Sequence, residues 1–334
     1  MKYILYKLSL FVALSIYLSS CMVKEKPYPL PPLVGGDSTR IGIVSVGEDY
    51  QDQVFYSMIE GVVHTSKFAS WDINLTTDPT NSELRMNGGN LVLLYPTTAT
   101  AFDQVTSISG FTSANWKYDD PSGLPGTSGL GYLENNPVIG KVVVVSRNNT
   151  LYKFILNNVT ANSYTITLAK SITATSGDTL EISKNDEYNF SYLNMDDGLV
   201  FPEPKKREWD IVFTKFRHIY RAYNPDGSDF LYSVAGALLN PFNTQGASDS
   251  TKEFNYATFN LDTLAAEYIM VANRDVIGFN WKTVNINTGL YLVNPQRIFA
   301  IRDQNNRLWK LSFFGYDDEQ GRPGTPQFRY EILK

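Results

Sequence analysis

Side chains able to do chemistry are few in this 334-residue sequence: two histidines, His64 and His218, and one cysteine, Cys21. The stretch GGDST (35–39) has the Gly-Asp-Ser look of a hydrolase nucleophile. It follows a proline-rich segment instead of linking a strand to a helix, and only two histidines could act as its base. SGDT (176–179) reads as a turn between two β runs, and no CxxC, HExxH, EF-hand or phosphate-loop spacing occurs. Acidic pairs at Asp119 and Asp120, Asp196 and Asp197, and Asp317 and Asp318 would suit glycoside hydrolysis only if two carboxylates faced each other across a cleft. Adjacent residues on a strand point to opposite faces, so turn positions explain these pairs better. The expected protein is a non-enzymatic binder. Its net charge of -5, with both signs interspersed, excludes the broad basic footprint of a nucleic-acid partner.

The elements that would carry such a binder are strands. The sequence has 21 Tyr, 19 Phe and 5 Trp, gathered in short runs with Val, Ile and Thr, which pack well on a pleated sheet. SRNNTLYKF and RDQNNRLWKL set Asn pairs between apolar runs, a hairpin signal because Asn tolerates positive φ. DTLAAEYIMV (262–271) is the best helical segment. The expected class is all-β, mainly antiparallel, with one or two short helices.

An internal repeat organises the chain. FYSMIEGVV (55–63) aligns with YLNMDDGLV (192–200), SWDI (70–73) with EWDI (208–211), and residues 136–156 with 294–313, in the same order. Two tandem units are expected, 38–183 and 184–334. Met58 and Met195 are equivalent in the two units, which points to a shared core role.

Ahead of these units, residues 1–20 have a basic start, an apolar stretch from Leu8 to Leu18 and a small-residue exit. That stretch is too short to span a bilayer and reads as an export signal. LSSC matches a lipobox, so Cys21 is expected to be the acylated first residue of the mature chain, anchored through its acyl chains. Residues 21–37, rich in Pro and ending in Gly, form a tether.

The second unit carries a family resemblance. REWDIVFTKFRHIYRAYNPDGSDFLYSVAGALLNPFNTQGA, followed by RIFAIRDQNNRLWKLSFFGYDDEQGRPGTPQFRYEIL, resembles the HmuY-like lipoproteins of the Bacteroidetes. The shared features are a Trp-Asp-Ile strand, the GALLNP segment, and a terminal block in which an aromatic-Lys-Leu strand leads through a Gly/Pro loop to another strand. The first unit shares only the repeated blocks. The resemblance implies an all-β, hand-like fold and an outer-membrane lipoprotein facing the cell surface or the periplasm. It further implies capture of haem, free or from a haemoprotein, with delivery to a TonB-dependent receptor. Iron would be held by two axial side chains of the His or Met type. Met22 lies beside the lipid, Met58 and Met195 belong to the scaffold, and Met270 falls in the expected helix. The candidate haem contacts are therefore His218, His64 and Met86, with His218 and His64 as the iron ligands. The alternative is a surface module that recognises glycan or protein through exposed aromatics, without haem.

Overall fold

The computed structural model describes residues 38–249 and 255–334. The export signal, Cys21 and the tether lie outside the described residues. Three strands open the chain: β1 (Arg40–Ile43), β2 (Asp52–Ser57) and β3 (Gly61–Lys67). They belong to sheets completed only by the end of the sequence.

A continuous segment then forms a first lobe. Its strands are β4 (Ile73–Thr76), β5 (Leu84–Met86), β6 (Leu93–Pro96), β7 (Val142–Arg147), β8 (Thr150–Val159), β9 (Ser163–Ala169), β10 (Asp178–Ser183), β11 (Phe190–Asn194) and β12 (Gly198–Val200). They make two sheets, in the orders β10-β9-β8-β7-β6 and β12-β11-β4-β5. Ile73, Leu75, Leu84, Leu193 and Met195 of the smaller sheet pack on Val143, Val145, Phe154 and Ile166 of the larger. The β7–β8 turn places Asn148 and Asn149 at φ 48° and 67°, the backbone that the Asn pair signalled.

The second lobe contains β13 (Ile211–Tyr220), β14 (Phe230–Leu239), β15 (Gln245–Asp249), helix α1 (Leu261–Glu267), β16 (Lys282–Val284), β17 (Tyr291–Val293), β18 (Ile298–Arg302), β19 (Leu308–Asp317) and β20 (Pro323–Ile332). The opening strands complete it, in the orders β1-β20-β19-β18-β15 and β14-β13-β2-β3, with β16 and β17 as a separate hairpin. Val54, Tyr56 and Met58 enter one core with Ile211, Phe213, Phe299, Trp309, Phe313 and Phe328. Every strand pair is antiparallel. The all-β, antiparallel expectation holds, with a single short α-helix among the described residues. That helix ends at Glu267, and Tyr268 is already extended. Met270 therefore lies beyond it, partly buried beside Phe259 and Ile298.

The repeated blocks do the same work in each lobe. Buried Asp72 accepts the backbone N–H of Met195 at 2.8 Å, and buried Asp210 accepts that of Met58 at 2.8 Å. The Trp71–Tyr192 and Trp209–Phe55 ring pairs are both edge-on, with centroids 5.0 Å apart and planes at 79°. Asn87 donates to the carbonyl of Trp71 at 2.9 Å, as Asn240 does to that of Trp209 at 2.6 Å. The buried ammonium groups of Lys153 and Lys310 each donate to carbonyls of the loop packed over their sheet. Gly61 and Gly198 close the equivalent turns at φ 83° and 80°, where a side chain would be strained. The lobes nevertheless group the strands differently from the sequence repeat: β11 and β12 complete the first lobe and β1–β3 the second.

Candidate functional site

His218 lies on β13, opposite Tyr232 of β14. Side chains two apart on a strand share a face, so Phe216, His218 and Tyr220 align with Phe230, Tyr232 and Val234 across the hairpin. The imidazole packs edge-on against Tyr220, with centroids 4.8 Å apart, and against Phe279 at 5.0 Å. Beyond it the rings of Tyr220, Tyr223, Phe230 and Tyr232 adjoin one another with centroids 5.6 to 6.3 Å apart. Tyr223 is 68% exposed and Phe230 41%, so the hairpin presents a continuous aromatic surface to solvent. Burial lowers the pKa of His218, and the nearby Asp275 carboxylate only partly offsets this. Among the described residues neither ring nitrogen has a hydrogen-bond partner. A neutral imidazole with a free nitrogen can coordinate a metal.

The other candidates lie elsewhere. His64, on β3, is opposite Phe55, with ring centroids 6.0 Å apart. Phe55 is in turn opposite Val212 on β13. From Val212 to His218 is a run of about 20 Å along the strand at roughly 3.3 Å per residue. The two histidines are thus beyond the combined reach of two imidazoles, and the fold does not bring them to one iron. Met86 is buried in the core of the first lobe, and its backbone N–H donates to Asp119. Among the described residues no three His, Cys, Asp or Glu side chains converge as a metal cluster would require. None of the described helices is long and apolar enough to cross a membrane.

Asp119 and Asp120, one of the acidic pairs, have different partners. Asp119 accepts the backbone N–H groups of Met86 and Gly129, whereas Asp120 pairs with Arg221 at 2.7 Å. Another carboxyl, Glu203, is buried and accepts the amide of Asn189 at 2.7 Å and the hydroxyl of Tyr192 at 2.9 Å. Burial outweighs these donors and pushes its pKa up to about 7. The protonated form favours the folded state, so this contribution is fully present below the ordinary glutamate pKa and is lost as pH rises through about 7. Glu203→Gln is expected to flatten the decline in stability between pH 5 and pH 8 by up to about 3 kcal/mol. Urea unfolding of both proteins across that range measures it, and parallel pH profiles would refute it.

Sequence reasoning singled out His218 as a candidate but not the aromatic surface around it. The signal was present in the alternation of Phe216, His218 and Tyr220, but the pairing of Tyr220 with Phe230 needed the register of the hairpin.

The family model described as HmuY protein matches residues 49–330. No curated protein matches. Among solved structures, a putative lipoprotein from Bacteroides fragilis is similar at 12% identity and a TM-score of 0.24, covering 43% of this chain and 76% of its own. An apo HmuY analog from Tannerella forsythia aligns at 13% identity and a TM-score of 0.24, covering 47% and 85%. Apo PinO from Porphyromonas gingivitis aligns at 10% identity and a TM-score of 0.29, covering 89% and 97%. With the family model running from just before β2 into β20, the chain belongs to the HmuY protein family.

Proposed function

We propose that this protein is a non-enzymatic haem-binding lipoprotein, anchored through Cys21 to the outer membrane, which captures haem and hands it to a TonB-dependent receptor. The observation that carries the reading is the imidazole of His218, without a hydrogen-bond partner among the described residues, set in an exposed aromatic face on a HmuY-family chain. The rings of Tyr220, Tyr223, Phe230 and Tyr232 offer an aromatic surface for a porphyrin face, and His218 offers one axial nitrogen. His64 is too far from this face to supply the second, and Met86 is buried in the core of the first lobe, so the proposed complex has one protein ligand to iron. The two tandem sequence units are read as products of duplication. Only the second carries a histidine on its β13–β14 hairpin.

Titration with haemin tests the reading. A saturable Soret shift is expected, with affinity reduced at least tenfold in His218→Ala and unchanged in His64→Ala. Absence of the shift, or an unaltered titration in His218→Ala, overturns it. In that case the aromatic face, with Tyr223 at its exposed rim, favours recognition of a glycan or protein without haem.

A further inference from the structure

Between the lobes lies a cavity of about 110 Å³. The first lobe lines it with Trp71, Asn74, Arg85, Asp119 and Tyr192, and the second with Phe55, Trp209, Val212, Arg217 and Arg274. The walls meet closely because Gly88 and Gly89 lie against β13. A Cβ on Gly89 would stand 2.3 Å from the Lys215 carbonyl oxygen, and one on Gly88 would stand 2.6 Å from the Arg217 Cβ. At roughly 30 Å³ of liquid volume per water, the space holds a few waters or one small polyatomic molecule. A porphyrin does not fit this volume, although Phe216 of the His218 face is among the residues that line it.

The cavity lining has unused hydrogen-bonding capacity, most of it in donors. Arg217 is 6% exposed and has no hydrogen-bond or ion-pair partner among the described residues. Asp119 attracts it from beyond hydrogen-bond distance, with its own oxygens held by the N–H groups of Met86 and Gly129. Arg274 uses only Nε, on the Leu239 carbonyl at 3.0 Å, and its guanidinium lies over the Phe190 ring. The indole nitrogen of Trp71 is buried without an acceptor, and the side-chain oxygen of Asn74 is buried without a donor. A half-turn of that amide presents its NH2 donors to the same space. Acceptors are scarcer. Glu203, beside Tyr192, is held by Asn189 and Tyr192, and Asp120 is paired with Arg221. Buried guanidinium and indole donors without acceptors cost stability unless something supplies the missing acceptor. Guanidinium groups match the geometry of carboxylate and phosphate oxygens.

We propose that this interlobe cavity binds a small oxyanion of the carboxylate or phosphate class, held by Arg217 and Arg274 together with the indole N–H of Trp71. Because Trp71 and Asn74 come from one lobe and the arginines from the other, the anion closes the two lobes on each other.

The intact protein, freed of oxyanions by dialysis into a chloride buffer, is titrated by calorimetry with inorganic phosphate and, separately, with acetate. Tryptophan fluorescence gives a second reading because Trp71 and Trp209 line the cavity. One saturable site is expected for at least one anion, and which of them binds identifies the source. Arg217→Met is expected to weaken binding at least tenfold, Asn74→Leu to weaken it by obstructing the cavity, and His218→Ala to leave it unchanged. Circular dichroism checks that each variant is folded. If the wild type binds neither anion saturably, only water fills the cavity and the proposal falls. It also falls if the folded variants, Arg217→Met or Asn74→Leu, bind as the wild type does.

Discussion

A fragment comprising residues 68–205 is expected to fold by itself, whereas residues 184–334, the second unit of the sequence repeat, are expected not to. The first fragment contains all nine strands of the first lobe and its whole buried cluster from Ile73 to Met195. The second lacks β1–β3, and with them Val54, Tyr56 and Met58, each at most 3% exposed in the core it would have to close. Losing large buried side chains costs about 2–5 kcal/mol each. Three such losses are comparable to the roughly 5–15 kcal/mol that holds a typical domain together. The same fragment also carries β11 and β12 without β4, their only bridge to a larger sheet. Amide NMR dispersion and cooperative thermal unfolding read the outcome. A cooperative transition for 184–334, or none for 68–205, would contradict the lobe assignment.

Asp72→Ala is expected to destabilise the protein by about 3 kcal/mol. Its carboxylate is fully buried and accepts the Met195 N–H at 2.8 Å and a guanidinium hydrogen of Arg147 at 2.9 Å. Alanine leaves that N–H unpaired in a dry core and removes one of the two carboxylates that hold Arg147. The other, Asp196, remains at 2.6 Å, which keeps the loss below that of an isolated buried charge. Asp72→Asn retains an acceptor for Met195 and is expected to cost less than half as much. Chemical denaturation of the three proteins decides the point, and an Asn variant as unstable as the Ala variant would show that charge, not the backbone bond, carries the effect.

The two predictions draw on different sources. The importance of Asp72 could be anticipated from sequence, because SWDI and EWDI recur, as do Met58 and Met195, and a repeated polar residue beside a repeated Trp suggests a scaffold. The lobe boundaries could not. Repetition in sequence records the period of a pattern but not where the chain crosses between sheets. A circular shift of the boundary, with β1–β3 completing the second lobe and β11–β12 the first, leaves the same repeat in the sequence.

Local chemistry was legible for a local reason. Strand alternation, the Asn148–Asn149 turn, the positive-φ glycines Gly61 and Gly198, and the short helix near Leu264 each depend on a few neighbouring residues. His218 was visible as an unrepeated histidine on a strand. Its aromatic surroundings, its distance from His64, and the meeting of Trp71 with Arg217 and Arg274 across the lobes depended on strand register and on contacts between residues up to about two hundred positions apart. The sequence by itself determined the all-β character, the repeat and the small set of candidate ligands. Only the tertiary structure decided which of them share a surface, because long-range pairing is set by how whole sheets bury their apolar faces together and not by the spacing within any one segment.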